Sequence, residues 1–372
     1  MFPVMSSASK ANGYLFVIVI ALVFCISIPS ATRFLKNNDE TFSLFLNGDL
    51  SRLFESHFDQ EFVLRDAAIS TWADIQYLLF DEASTGAILG DQGWIFTNEE
   101  YLFPSAYEQT LEVHLTKFEQ IRSAIEAQGK RLIIVPIPMK LDIYQEYSRI
   151  DMGHKPQQLY QDLLEQLHAR QFSVADTRTS IIQGKSKGDV FVPTDTHWTA
   201  LGAKTTAETI ANQFPSLIGD TEFVVSQTGE KSYSGDLLNF LRFHPSLAPQ
   251  YFSDYKIPVY QAFAKTPLAE ISQMDALFGD KSISIALIGT SYSKFEEWNF
   301  LGFLQKSLNS EIASMTFAGV GPYAAMEEFL KDNLLKDTAI ETVIWEYPVR
   351  TLMHQNKQRD IWQGNIDKLF EI

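Results

Sequence analysis

The sequence predicts an α/β protein: an open, mostly parallel sheet with helices on both faces, preceded by an N-terminal membrane-spanning helix. Three observations point there. From about Tyr107 onward, short apolar runs alternate with longer stretches at helical spacing, as βα units do. Runs such as Leu132–Val135 and Ile283–Ile288 are apolar throughout rather than at every second residue, which suits strands covered on both faces. Two motifs rich in chemistry, Asp195-Thr196-His197-Trp198 and Gly289-Thr290-Ser291-Tyr292-Ser293, fall at the ends of such units. Ligands on open parallel sheets sit at the carboxyl ends of the strands.

The first element is the run Gly13–Pro29, which has no charge and almost no polarity. It is a little shorter than the roughly 20 residues usual for a span. A cleaved signal peptide or a retained signal-anchor both fit. Small residues follow at Ser30 and Ala31 without the A-x-A cleavage pattern, which favours the anchor. Charge does not settle orientation: Lys10 precedes the run, and Arg33 and Lys36 follow it. The single cysteine, Cys25, lies inside the run, so the rest of the chain has no disulfide framework and no thiolate zinc site.

Residues 38–82 read as largely helical, with Phe42, Phe45, Leu46, Leu50, Leu53 and Phe54 at helical spacing. A hairpin follows, Ala87–Leu89 against Trp94–Phe96, turning at Gly90-Asp91-Gln92-Gly93. Leu111, Leu115, Phe118 and Ile125 stripe a helix stopped by Gly129. Next come a strand at Leu132–Val135, a helix over 156–169, a strand near Phe172–Ala175, and a helix over 199–213 after the Asp-Thr-His-Trp loop. Residues 215–280, with prolines, aromatics and Gly235-Asp236-Leu237-Leu238, read as an irregular insertion. Three more units close the chain: strand 283–288 with helix 296–308, strand 312–317 with helix 323–333, and strand 341–345. The predicted organisation is an anchor over 1–37 and one domain over 38–372.

Composition narrows the function. At 45% apolar the chain is globular, and its formal charge of −16 argues against nucleic-acid binding, which needs a basic surface. An anionic polymer would also be repelled at long range and would need a locally basic groove. Ser291 lies just after a strand and before a helix, where Gly289 and Thr290 allow a tight turn. The unsatisfied N–H groups of the following helix could stabilise an oxyanion. A helix-capping serine is the plain alternative. His197 can deprotonate a serine, and Asp195, two residues away, projects to the same side of an extended loop and could orient it. The alternatives are an ordinary loop histidine, a cap carboxylate, or a metal site, for which no HxH or HExxH pattern exists. Other strand ends carry Gly319 and Gly321, where backbone could approach a ligand or simply turn. Arg350 could hold an acidic sugar's carboxylate or pair with a surface Glu. Trp94, Trp198 and Trp298 could stack on sugar rings if exposed, with core packing as the default. Thr290, Tyr292, Gly319, Gly321, Trp198 and Arg350 are therefore the substrate and oxyanion candidates.

These residues resemble a known family. Asp-Thr-His-Trp followed by Gly-Thr-Ser-Tyr-Ser and Trp298-Asn299-Phe300 looks like the alginate O-acetylation proteins of the AlgJ and AlgX types, with their SGNH-hydrolase-like domain. Gly93–Phe96 with Glu99-Glu100, Val135-Pro136-Ile137-Pro138, and Trp345-Glu346 with Pro348 and Arg350 extend the likeness over most of the chain after the apolar run. The resemblance implies Ser291 as nucleophile, His197 as base and Asp195 as its partner. The Asp-His pair precedes the serine, a circularly permuted order relative to ordinary SGNH hydrolases. It further implies an exopolysaccharide acceptor, a membrane-bound O-acyltransferase-type partner supplying acetyl groups, no cofactor or metal, and a place on the periplasmic side of the inner membrane. The AlgX type carries a carbohydrate-binding module after its catalytic domain. The short stretch beyond Arg350 is too small for one, and the anchor is similar to the AlgJ type. The acidic charge fits poorly with a polyuronate, so another exopolysaccharide is also open. An esterase with the same triad and a non-catalytic secretion scaffold are the rival functions.

Overall fold

The computed structural model describes residues 7–37, 41–83, 85–104, 106–265, 283–336 and 339–353. They fall into two compact units. The first runs to Phe80 and adds Arg242–Ala248; the second takes up at Asp81 and holds the rest of the described chain. The boundary between the two units lies at Phe80.

The first unit opens with a helix over Ser7–Asn37. Its stretch Lys10–Asn37, near the N-terminus, is 28 residues long with a mean hydropathy of 2.6 over its most apolar window. At about 1.5 Å per residue, this length exceeds the roughly 30 Å hydrocarbon layer. The helix outlasts the apolar run because its polar flanks continue the same backbone, with Pro29 inside it. Helices Thr41–Leu46, Leu50–Glu61 and Arg65–Ile75 follow, then a π-helical turn at Gln76–Phe80.

The second unit is built on a five-stranded sheet. A short hairpin precedes it, β1 (Ala87–Leu89) pairing antiparallel with β2 (Ile95–Thr97). The sheet strands are β3 (Arg131–Ile137) and β4 (Ser173–Val174), and then, beyond a second hairpin, β7 (Ile285–Gly289), β8 (Ile312–Thr316) and β9 (Thr342–Pro348). Their order is β4-β3-β9-β7-β8, and every pair is parallel. The last strand among the described residues is thus the central one, and all seven of its residues are buried.

Alternate strand residues feed two cores. Ile133, Val135, Ile285 and Leu287 pack with Ala203, Ala207 and Ile210 of helix Ala200–Gln213 and Phe300 and Leu304 of helix Phe300–Leu308. Leu132, Ile134, Ala286 and Ile288 face the other way, onto Leu115 and Phe118 of helix Tyr107–Glu126, Leu163 of Lys155–Ala169 and Phe329 of Gly321–Lys331. Each Leu or Ile buried this way contributes about 1.5–3 kcal/mol. This two-sided burial is why the strand sequences are apolar throughout rather than alternating.

Residues 215–280 depart from the irregular insertion expected. Within them β5 (Phe223–Tyr233) and β6 (Tyr255–Ala264) form a long antiparallel hairpin, with a register shift between Gln227 and Gly229. Most of β5 is exposed and polar, so no apolar alternation marks it. Pro258 lies inside β6, and proline argues against a strand unless it sits at an edge. The final part of the predicted insertion, 266–280, lies outside the described residues. Two further differences concern the ends of elements. Residues 296–308 hold a shorter helix, Phe300–Leu308, preceded by a separate turn at Ser291–Lys294. The Trp345-Glu346-Tyr347-Pro348 segment lies inside β9 rather than after it.

Candidate active site

His197 is held in a loop that pairs with itself. The N–H of Val192 donates to the carbonyl of His197 (3.1 Å), and that of Thr199 to Val190 (3.0 Å). Thr199 then caps the next helix, accepting from the N–H groups of Leu201 and Gly202. The result presents Asp195 and His197 as a preformed unit.

Asp195 is fully buried, and both carboxylate oxygens are saturated. Oδ1 accepts from the His197 N–H (2.8 Å) and from His197 Nδ1 (2.7 Å). Oδ2 accepts from the Tyr233 hydroxyl (2.8 Å) and the Asp236 N–H (2.7 Å). Burial works against the charge, but the hydrogen bonds from His197 and the Asp236 N–H outweigh it and hold the carboxyl well below the usual range. An ionised carboxylate only accepts, so His197 Nδ1 carries the proton and Nε2 is left as an acceptor. Nε2 lies 2.7 Å from Ser291 Oγ. Ser291 thus has an acceptor for its proton, and the acceptor has a fixed tautomer. The ring is clamped by Tyr292 and Phe295, with centroids 4.8 and 5.2 Å away.

Four groups that were not singled out as site residues from sequence complete this arrangement. Lys140, just after β3, is buried and its Nζ lies 2.6–2.9 Å from four carbonyl oxygens, those of Ile95, Val192, Pro193 and Asp195. Only an ammonium suits such a cage, since a neutral amine would turn a lone pair toward a carbonyl. Burial nevertheless pulls its pKa down to about 7, against the opposing pull of Glu100 and Asp195. Glu100 is buried beside it and accepts from the N–H groups of Lys140 (3.0 Å) and Leu141 (2.7 Å). Tyr233, at the end of β5, reaches Asp195 from the hairpin. Glu346, in β9, lies under the Ser291 turn and accepts from the Thr290 N–H at 2.7 Å. Each of these joins segments distant in sequence, so its contact has no local signal, although Glu100 and Glu346 stand in motifs that carry the family resemblance.

The remaining sequence candidates are placed as follows. Thr290 directs both its N–H and its hydroxyl at Glu346, so neither faces a ligand. Tyr292 is 1% exposed and its hydroxyl donates to the Thr196 carbonyl (2.9 Å), making it a pillar between the two motifs. Trp198 is fully buried, its Nε1–H donating to the Tyr292 carbonyl (3.1 Å), so it packs the core and does not stack on a sugar. Trp94 and Trp298 are buried too. Gly319 and Gly321 both take φ +76°, and a Cβ on either would meet nothing, so turn conformation accounts for them rather than close approach. Arg350 is only partly exposed; its Nη1 donates to the Tyr292 hydroxyl (3.3 Å), and its Nε lies 3.7 Å from Glu99. Asp195, His197 and Asp236 could cluster around an ion by distance, but both Asp195 oxygens already accept hydrogen bonds from the protein.

A parallel sheet that carries a serine at one strand end, hydrogen-bonded to a histidine that is itself bonded to an aspartate, is the arrangement of an α/β serine hydrolase or acyltransferase. The chain belongs to the family described as the SGNH hydrolase-like domain of acetyltransferase AlgX, whose model matches residues 87–349. It is similar to a probable alginate O-acetylase AlgJ of Pseudomonas putida, 35% identical over 323 residues, 84% of this chain and 82% of that protein. A probable alginate O-acetylase AlgJ of Pseudomonas syringae pv. tomato is 34% identical over 343 residues, 89% of this chain and 84% of that one. Among solved structures, the O-acetyltransferase domain of Pseudomonas putida AlgJ superposes with a TM-score of 0.66 at 28% identity, covering 76% of this chain and 98% of that domain.

Proposed function

We propose that this chain is a polysaccharide O-acetyltransferase, acting on alginate or a similar exopolysaccharide at the periplasmic face of the inner membrane. The observation that carries the reading is the continuous relay from Asp195 Oδ1 through His197 to Ser291 Oγ, 2.7 Å at each step. The names of the AlgJ relatives supply the acceptor class.

In the first half-reaction Ser291 Oγ attacks the carbonyl carbon of a donor acetyl ester while His197 Nε2 takes the hydroxyl proton. Asp195 steadies the imidazolium that results. The tetrahedral intermediate collapses, the donor C–O bond breaks, and His197 returns the proton to the leaving alkoxide. Ser291 then carries an acetyl ester. In the second half a sugar hydroxyl attacks that ester, His197 takes its proton, and the Ser291–acetyl bond breaks, with the proton restored to Oγ. The N–H of Ser291 opens a helical turn and is a natural donor to the oxyanion. A membrane-bound O-acyltransferase-type partner presents the acetyl group, and the apolar helix Lys10–Asn37 keeps the domain at that membrane.

The test is acetyl transfer from p-nitrophenyl acetate, with and without deacetylated polymers, following nitrophenol release and ester formation on the polymer. Wild type should acetylate one polymer class and Ser291→Ala none. Hydrolysis at the same rate whatever polymer is added would make the chain an esterase. No turnover and no acetyl on the protein would favour a scaffold.

A further inference from the structure

Glu346 stands in the central strand, fully buried, where a carboxyl group is costly unless it is fully hydrogen-bonded. Its neighbour in sequence, Trp345, pairs with Ile288 of β7, so the Glu346 side chain arrives beside the end of β7. There it collects three donors. The Thr290 N–H reaches Oε2 at 2.7 Å, the Thr290 hydroxyl reaches both oxygens at 3.0 Å, and the Ser293 hydroxyl reaches Oε2 at 3.1 Å. Thr290 and Ser293 bracket Ser291 from both sides. Gly289 completes the fit, because a Cβ there would stand 2.8 Å from Glu346 Oε2 and 2.6 Å from Ser293 Oγ.

We propose that Glu346 is a positioning residue for the nucleophile: through Thr290 and Ser293 it fixes the turn that aims Ser291 Oγ at His197. The inference rests on the reading of Ser291 as nucleophile and extends it. It accounts for the composition of the turn. Glycine is needed where the carboxyl group presses on the backbone, and a hydroxyl is needed on each side of the serine. It also means that the Thr290 N–H is spent on the turn and is withdrawn from the oxyanion. Burial pushes the Glu346 carboxyl up from its ordinary range, partly offset by the bonds from Thr290 and Ser293.

The experiment uses the full chain in detergent micelles and compares wild type with Glu346→Leu and Glu346→Gln. It measures thermal unfolding together with kcat and KM for p-nitrophenyl acetate. A nucleophile displaced by about 1 Å loses about 100-fold in rate. Glu346→Leu should therefore lower kcat by about that factor at unchanged KM, in protein that is still folded. Glu346→Gln, which keeps one acceptor oxygen, should recover most of the loss. Equal kcat in wild type and Glu346→Leu would overturn the inference and leave Ser291 as nucleophile. A wild type that never acquires an acetyl group would overturn both. Should both Glu346 variants fail to fold, Thr290→Val and Ser293→Ala decide: a reduced kcat in either supports the positioning role, and wild-type kcat in both refutes it.

Discussion

Asp195 accepts four hydrogen bonds, two of them from His197, and this saturation sets what its removal should do. Asparagine would offer an N–H where His197 Nδ1 already donates, favouring the wrong tautomer. Asp195→Asn should cut kcat by about 10³–10⁴-fold, as expected for this kind of triad. The same variant carries a stability signature. Because the folded carboxyl is held below its unfolded value of about 3.9, its contribution is fully present above that pH and is lost as pH falls through the folded value. Urea unfolding should show wild type more stable than Asp195→Asn at pH 7, with the gap closing on acidification; a gap that widens toward acid would contradict the assignment. Tyr233→Phe removes one of the two donors to Oδ2 and should cost about 10-fold in kcat, in line with a hydrogen bond to a charged group. The Asp195, His197 and Ser291 candidates were legible because each sits in a short motif at an element end. Tyr233 was not: it meets Asp195 across 38 residues, from a strand whose sequence does not look like one.

At the scale of elements, the loop that carries Asp195 and His197 is pinned from two directions. Lys140 ties its carbonyls to β2 from below, and the hairpin closes on it at Gly235, where a Cβ would lie 2.0 Å from the Thr194 carbonyl oxygen. Lys140→Met would leave four buried carbonyls without their cation, destabilising the fold by roughly 3 kcal/mol. Chemical unfolding checks this, and a change below the error of the measurement would show that the cage is not needed. Gly235→Ala should cost about 1–3 kcal/mol by overpacking and should lower kcat, since the Asp236 N–H and Tyr233 lie on either side of that contact. The parallel sheet was readable because strands covered on both faces are uniformly apolar, and the helices because their stripes repeat. The β5–β6 hairpin was hidden by its exposed polar strand, by Pro258, and by more than twenty residues between the strands with no tight-turn signal.

For the whole molecule, an apolar helix and an acyl-transfer unit share a chain with a formal charge of −16. If the helix anchors the protein, high-salt washing, which screens charge contacts, should leave it in the membrane fraction, and only detergent should release it. Recovery in the soluble periplasm with a new N-terminus would mean that the segment is cleaved. The central claim concerns Ser291, and rapid-quench intact-mass analysis with peptide mapping tests it most directly. Mixed with p-nitrophenyl acetate, the protein should gain one acetyl group located on Ser291, and adding deacetylated alginate should discharge it onto the polymer faster than water does. An acetyl group on any other residue, or one that Ser291→Ala still acquires and transfers, would contradict the account.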